Sequence, residues 1–312
     1  MSVCLAGVDA SERRGGWDPD ADGRRAGLES PIRTVLESHT SSLTAADRLT
    51  LVPDTHYPFH PSSGMVTDPA VVAALVDHLE GRTSADIAVA GISDDRIGFD
   101  RTADYLGYPT ILESTDATLV DLADESRRNR VVSIDGERVS LTVPERLLES
   151  TVVVVPTLRP TEDGPVAGGM RTLERFVSSV DDSELTALAA TRAAEPVLTV
   201  LDATTAYGGD PVAADTLLAG PTPQVDALAS SLLERSIADD SALENAFGVS
   251  VPSITVETPN DGVSVDVDSL RRRLPKGELP PPDEMHPAVT AAYRLYATVS
   301  GDAVPPQLEQ GP

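Results

Sequence analysis

Residues 195–233 read EPVLTVLDATTAYGGDPVAADTLLAGPTPQVDALASSLL, and the fold is decided there. Val197 to Leu201 is a short apolar, β-branched run of the kind that fills a buried parallel strand. It reaches Asp202, where a Gly/Asp-rich loop through Asp210 is expected to begin. A further strand over Ala213 to Leu218 and a helix over Gln224 to Leu233 follow, with Asp226 expected to open that helix after Gly220. Open α/β sheets bind ligands at the carboxyl ends of their strands, so this reading puts Asp202 where chemistry usually happens.

Working outward, the same pattern recurs. Arg48 to Val52, Asp86 to Gly91 and Thr151 to Val155 are apolar runs followed by polar turns, and the last, the most β-branched, is expected at the sheet centre. Thr118 to Asp121 is a shorter strand, and Ser2 to Val8 reads as an edge strand followed by a polar loop over Glu12 to Arg24. Asp135-Gly136 between Val131–Ile134 and Val139–Val143 predicts an antiparallel hairpin that interrupts the parallel order. Helices are expected from Ser30-Pro31, from Asp68-Pro69 through Glu80, over Arg101 to Leu106 with Gly107 as its stop, and from Ser183 to Ala194. The predicted class is α/β, a mostly parallel open sheet flanked by helices, with an antiparallel hairpin excursion and an appended C-terminal helical arm. The α/β domain is expected over 1–256. Beyond it, 257–312 reads as an arm with a stiff linker at Pro280 to Pro282, a helix over Pro287 to Val299 and a disordered tail from about Asp302.

Composition narrows the environment. Acidic residues number 50 against 24 basic ones, a net charge of −26, and Lys276 is the only lysine. An acidic surplus can mark a disordered tail, a partner-mimicking surface or adaptation to high salt, where screening removes self-repulsion. Here the carboxylates are scattered through patterned segments and Arg replaces Lys, which points to a halophile-type cytoplasmic protein. Nucleic-acid binding is disfavoured because it needs clustered cations, and the one run of three is Arg271 to Arg273. Cys4 stands alone, so the chain itself offers no disulfide, Cys-based zinc site or iron–sulfur cluster. No leader and no run of ~18 apolar residues suggests export or membrane insertion.

The loop PDTHYPFHPSSGMVTDP, from Pro53 to Pro69, gathers Asp54, His56 and His60 within seven residues. Those ligand types suit a divalent metal, and with Asp202 they define a candidate site of His56, His60 and Asp202. The alternative is a polar loop whose histidines are exposed or bonded to backbone. Thr67 and the first amides of the following helix could hold an anion, or simply cap that helix. After Thr151–Val155, Arg159 and Arg171 are the cations of a Pro/Gly-rich loop, suited to a carboxylate or phosphate or to ordinary ion pairing.

Together these segments resemble a family known as domain of unknown function 362, from about Leu49 to Gly248. The resemblance rests on Gly64-Met65-Val66-Thr67-Asp68-Pro69 with Val71, Val72 and Leu75. It also rests on Leu147 to Pro156, on Val200-Leu201-Asp202, on Gly209-Asp210-Pro211 and Ala219-Gly220-Pro221, and on Val225 to Ala229. The chain departs from the family where Val52-Pro53-Asp54 stands for Lys-Pro-Asn and Pro156-Thr157-Leu158-Arg159-Pro160-Thr161 for Pro-Lys-Leu-Lys-Thr-His. Many relatives carry or accompany ferredoxin-type clusters and are linked to redox roles, but Cys4 alone cannot hold one. Two functions follow. One is an enzyme-like protein binding a small anionic or metal-bound ligand at the strand ends, with Asp54, Asp202 and Asp226 as carboxylates, His56 as base or ligand and Arg159 as clamp. The other is a non-catalytic scaffold or interaction protein.

Overall fold

A computed structural model describes residues 2–9, 21–56, 58–94, 97–180, 183–248, 253–258, 263–274 and 279. Its strands are β1 (Ser2–Gly7), β2 (Arg48–Pro53), β3 (Asp86–Gly91), β4 (Thr118–Asp121), β5 (Arg127–Ile134), β6 (Glu137–Pro144), β7 (Thr151–Val155), β8 (Ser178–Ser179), β9 (Leu198–Tyr207), β10 (Pro211–Gly220) and β11 (Thr255–Glu257). The helices are α1 (Ala21–Leu36), α2 (Thr40–Thr44), α3 (Pro69–Glu80), α4 (Phe99–Leu106), α5 (Tyr108–Ile111), α6 (Glu145–Glu149), α7 (Gly169–Glu174), α8 (Thr186–Ala194), α9 (Thr222–Leu232), α10 (Ser241–Phe247) and α11 (Val267–Arg273).

The main sheet has the order β11-β1-β10-β9-β7-β2-β3-β4. All its neighbours are parallel except where β10 meets β1 and β9, so β10 alone runs against the rest. The expected parallel set is therefore present as the contiguous block β9-β7-β2-β3, with the loops after these strands on one edge of the sheet. The hairpin at Asp135-Gly136 is present too, both residues at positive φ of 49° and 92°, as a tight two-residue turn requires. It belongs to a separate three-stranded sheet, β5-β6-β8.

Four local expectations are corrected. β9 does not stop at Asp202 but continues to Tyr207, pairing with β10 as a long hairpin. Asp202 nevertheless lies level with the carboxyl end of β7, bridged in parallel to Thr157. Ser30-Pro31 does not open a helix, because Pro31 sits inside α1. The buried stripe Leu28, Ile32, Val35 and Leu36 holds that helix together. α1 also takes up the end of the expected loop, from Ala21 to Arg24. Finally, β1 is not the edge, since β11 pairs outside it. Leu270 in α11 and Leu274 just after it join the core under α9. The linker, helix and tail expected over 280–312 lie outside the described residues.

Three apolar clusters sandwich the sheet. The largest lies on the α1/α3 face, where Pro69 through Val76 of α3 are all buried between the sheet and α1. A helix apolar all round is stable only when so covered. The opposite face packs on α7, α8, α10 and the small sheet, and α9 and α11 cover the β1/β10 end. Each buried Leu or Val stabilises the fold by about 1.5–3 kcal/mol, which compensates for an aromatic content of only 4 %.

Candidate functional site

β2 ends at Pro53, and its next residue, Asp54, is held at the carboxyl edge by its own backbone. The Asp54 amide donates to Oγ1 of Thr67 at 2.9 Å, and the Thr67 amide donates back to the Asp54 carbonyl at 3.0 Å. Oγ1 of Thr67 also donates to the Val155 carbonyl at the end of β7, at 2.5 Å. Thr67 thus ties the loop after β2 to the strand beside it.

The Asp54 carboxylate is 2 % exposed and has a partner on each oxygen. Oδ1 lies 2.5 Å from Nδ1 of His56, and Oδ2 accepts Nη2 of Arg159 at 3.1 Å. Burial opposes ionisation of this group, but His56 and Arg159 outweigh it and hold the carboxyl well below the usual range. Nη2 of Arg159 sits 3.4 and 3.5 Å from the two ring nitrogens of His56, so the guanidinium lies against the imidazole.

Asp54 and Arg159 line a pocket of about 220 Å³ together with Thr161, Asp163, Ala167, Arg171, Thr172, Glu174 and Arg175. Arg171 is fixed by Glu174 at 2.8 Å and by Asp240 at 2.9 Å. Arg175, one helical turn on, is exposed and makes no ion pair among the described residues. Thr172 is 2 % exposed and its hydroxyl has no hydrogen-bond partner among the described residues. His56 does not line the pocket; it backs Asp54 from behind, its ring centroid 5.9 Å from that of Phe59.

The remaining expected residues sit elsewhere. His60 accepts from the Ser62 amide and pairs with its hydroxyl at 2.6 Å, capping a short turn. Asp202 is consumed by the neighbouring backbone: Oδ2 accepts the Asp68 amide at 2.8 Å, and Oδ1 accepts the Thr204 amide and hydroxyl at 2.9 and 2.7 Å. Burial pushes its carboxyl up to about 6, with the Thr204 bonds and Arg24 acting against the rise. Asp68 caps α3 through the Ala70 amide and pairs with Arg24, which is itself buried. Tyr108 lies fully buried near Asp202 and Asp54, its hydroxyl without a hydrogen-bond partner among the described residues; burial first and then those two carboxylates raise its pKa well above the ordinary phenol value.

Asp226 does not open α9 but stands in its second turn, and it caps another helix. Its two oxygens accept the Gly169 and Met170 amides at the start of α7, at 2.8 and 2.9 Å. A Cβ at Gly168 would lie 2.1 Å from Oδ1 of Asp226, so glycine is required for this approach. Burial pushes Asp226 up to about 7, with the two amide bonds opposing. α7 carries Arg171 and Thr172 and leads into Arg175, so Asp226 positions the pocket wall from outside the pocket.

His56, His60 and Asp202 therefore do not form a metal-ligand set. Nδ1 of His56 is engaged by Asp54 and its ring faced by a guanidinium, which repels a cation; the other two are committed to backbone groups. No three His, Cys, Asp or Glu side chains gather as metal ligands among the described residues. The sequence reading brought together Asp54, His56, Thr67, Arg159 and Arg171, and missed Thr172, Arg175 and Tyr108. The Arg171/Arg175 spacing of four residues was the available signal, since it puts both cations on one helical face.

Fold and pocket define an open, mostly parallel α/β protein with an arginine-lined pocket at the carboxyl edge of its sheet. The family described as "Domain of unknown function (DUF362)" matches residues 50–229, and the chain belongs to it. No curated protein matches the chain. Among solved structures it is similar to the lactate racemase apoprotein from Thermoanaerobacterium thermosaccharolyticum, with 11 % identity and a TM-score of 0.48. That likeness covers 66 % of this chain and 54 % of the other, so the chain spans about half of that protein's length. No described helix is long and apolar enough to cross a membrane.

Proposed function

We propose that the protein binds a small anion that also carries a hydrogen-bond donor, in the pocket between Asp54 and α7. The observation that carries this reading is the pairing, across one cavity, of an ionised buried carboxylate with Arg175 and the partnerless hydroxyl of Thr172. A carboxylate oxygen accepts more than one hydrogen bond, so Asp54 has capacity left for a ligand hydroxyl or amine after His56 and Arg159 are satisfied. Arg175, exposed at the pocket and in no ion pair among the described residues, suits the anionic end. The volume of about 220 Å³ restricts the ligand to a compact molecule, below the usual size of drug-like sites.

Asp54 held so far below its ordinary range stays ionised and is a poor base, so the reading is of binding and orientation in place of proton abstraction. The acidic composition supports a high-salt cytoplasmic setting, in which a ligand must be held by short charge-assisted bonds because longer-range attraction is screened.

Calorimetric titration in molar potassium chloride with a panel of small carboxylates, with and without a hydroxyl or amino group, tests this. Saturable binding that prefers the donor-bearing members and falls by about tenfold or more in Arg175→Gln and Thr172→Val is the expected result. A panel with no saturable member, or affinity unchanged in both variants, contradicts it.

A further inference from the structure

On the opposite face, far from α7, α1 and α3 lie side by side with a hollow of about 410 Å³ between them. Its walls follow from helical spacing. Arg25, Glu29 and Arg33 stand four residues apart on α1, while Ala74, His78 and Arg82 do the same along α3 and its end, so each set forms one stripe. The small side chains of Ala26 and Ala74 leave the depth.

The charges in this hollow are unevenly satisfied. Arg25 is occupied: it forms a two-pronged ion pair with Asp77 and donates to the Ile111 carbonyl at 2.8 Å. Arg33 reaches the Ser30 hydroxyl at 3.3 Å, and Arg82 the His78 carbonyl at 3.1 Å. Among the described residues neither makes an ion pair, in a chain where acidic residues outnumber basic ones by 50 to 24. Between them His78 is 9 % exposed, and its ring makes no hydrogen bond among the described residues. Burial, then Arg82 and Arg33, lower its pKa, with Glu29 opposing. Three arginines face two carboxylates in the hollow, Asp77 taken by Arg25 and Glu29 beside His78, and the positive potential that remains at this concave surface is the arrangement that captures oxyanions.

We propose that this hollow is a binding site for a doubly charged oxyanion, free or attached to a small organic molecule, held by Arg33 and Arg82 with His78 as the third contact. A bound dianion offsets the two guanidinium charges that disfavour a proton on His78. Binding then takes up a proton, and affinity for an anion of fixed charge rises as pH falls. Arg25, Glu29 and Asp77 share the hollow; Arg25 and Asp77 neutralise one another, and Glu29 already favours the protonated ring. The site is independent of the pocket at α7.

The test is sulfate binding to the full chain, followed by calorimetry against chloride at matched ionic strength. Sulfate keeps its charge across the range used, whereas phosphate does not. One saturable site is expected, tightening by several-fold between about pH 8 and about pH 6, with that dependence lost in His78→Gln. The double variant Arg33→Gln/Arg82→Gln should weaken it by about tenfold or more, and Arg175→Gln should leave it intact. Both arginines are exposed, so the double variant is expected to fold, which circular dichroism checks. Tighter binding of a phosphate monoester than of inorganic phosphate would assign the Ala26/Ala74 floor to an organic moiety; equal affinity would assign the site to the free ion. The proposal is overturned by the absence of saturable binding beyond chloride, or by affinity unaltered in the double variant. A saturable but pH-independent site would overturn the part given to His78.

Discussion

Oδ1 of Asp54 lies 2.5 Å from Nδ1 of His56, with both side chains almost fully buried. With Arg159 on the other oxygen, the carboxylate is fixed in direction and in charge. An acidic group on a loop thereby becomes a rigid acceptor facing a pocket.

Arg159 is the cation this arrangement depends on, being 3 % exposed against an equally buried Asp54. Arg159→Met should destabilise the protein by about 3–5 kcal/mol, the cost of leaving a buried charge unpaired. Arg175→Gln, at an exposed position, should change stability by less than about 0.5 kcal/mol. Denaturant unfolding in molar salt measures both, and equal effects would contradict the assigned roles.

The pH dependence of stability follows from three carboxylates. Asp202 and Asp226 are raised from an ordinary 3.8 to about 6 and about 7. The folded state therefore binds more protons than the unfolded one across that window, and stability falls as pH rises through it. Asp54 is lowered, so its contribution is present above its ordinary value of 3.8 and is lost only as pH falls below it. Asp202→Asn should flatten the slope between about pH 4 and about pH 6. It should also cost about 1–2 kcal/mol at the acidic end, because an amide nitrogen cannot accept the Asp68 N–H. A slope unchanged in this variant would remove Asp202 from the account.

Gly168 and Asp226 form one device. Gly168→Ala should destabilise by about 1–3 kcal/mol because its Cβ has no room beside the carboxylate. In a double-mutant cycle with Asp226→Ala the two effects should be clearly less than additive, since removing the carboxylate frees the space. Strict additivity would argue against the contact.

Salt should matter for the whole chain. With a net charge of −26, the melting temperature is expected to fall steeply as potassium chloride is lowered from molar to roughly tens of millimolar. A flat curve would leave the acidic surface to be explained by a basic partner.

Much of the sheet was legible because buried parallel strands are written as β-branched runs: Thr151–Val155 and Asp86–Gly91 match their strands from end to end. The second half of β9 was not, since Asp202 to Tyr207 is built of small and polar residues that read as loop; pairing with β10 and a buried environment decide it. Pro31 misled for a related reason, as a local start signal was overridden by a tertiary stripe of Leu28, Ile32 and Val35. In the site, residue types were visible and their directions were not. His56 and Asp54 were recognisable as partners, but which of them faces the pocket depends on how the loop after β2 turns. Asp226 looked like a cap and is one, for a helix distant in sequence, which only the packing of α9 against α7 reveals.

Anomalous diffraction at the bromine edge from crystals soaked with a small bromine-bearing hydroxycarboxylate tests the central claim most directly, because it locates a compact anion that also carries a hydrogen-bond donor. The account predicts a bromine peak at the carboxyl edge of the sheet, in the pocket bounded by Asp54, Thr172 and Arg175, that disappears in Arg175→Gln. Ligand bound elsewhere with none in that pocket would contradict it.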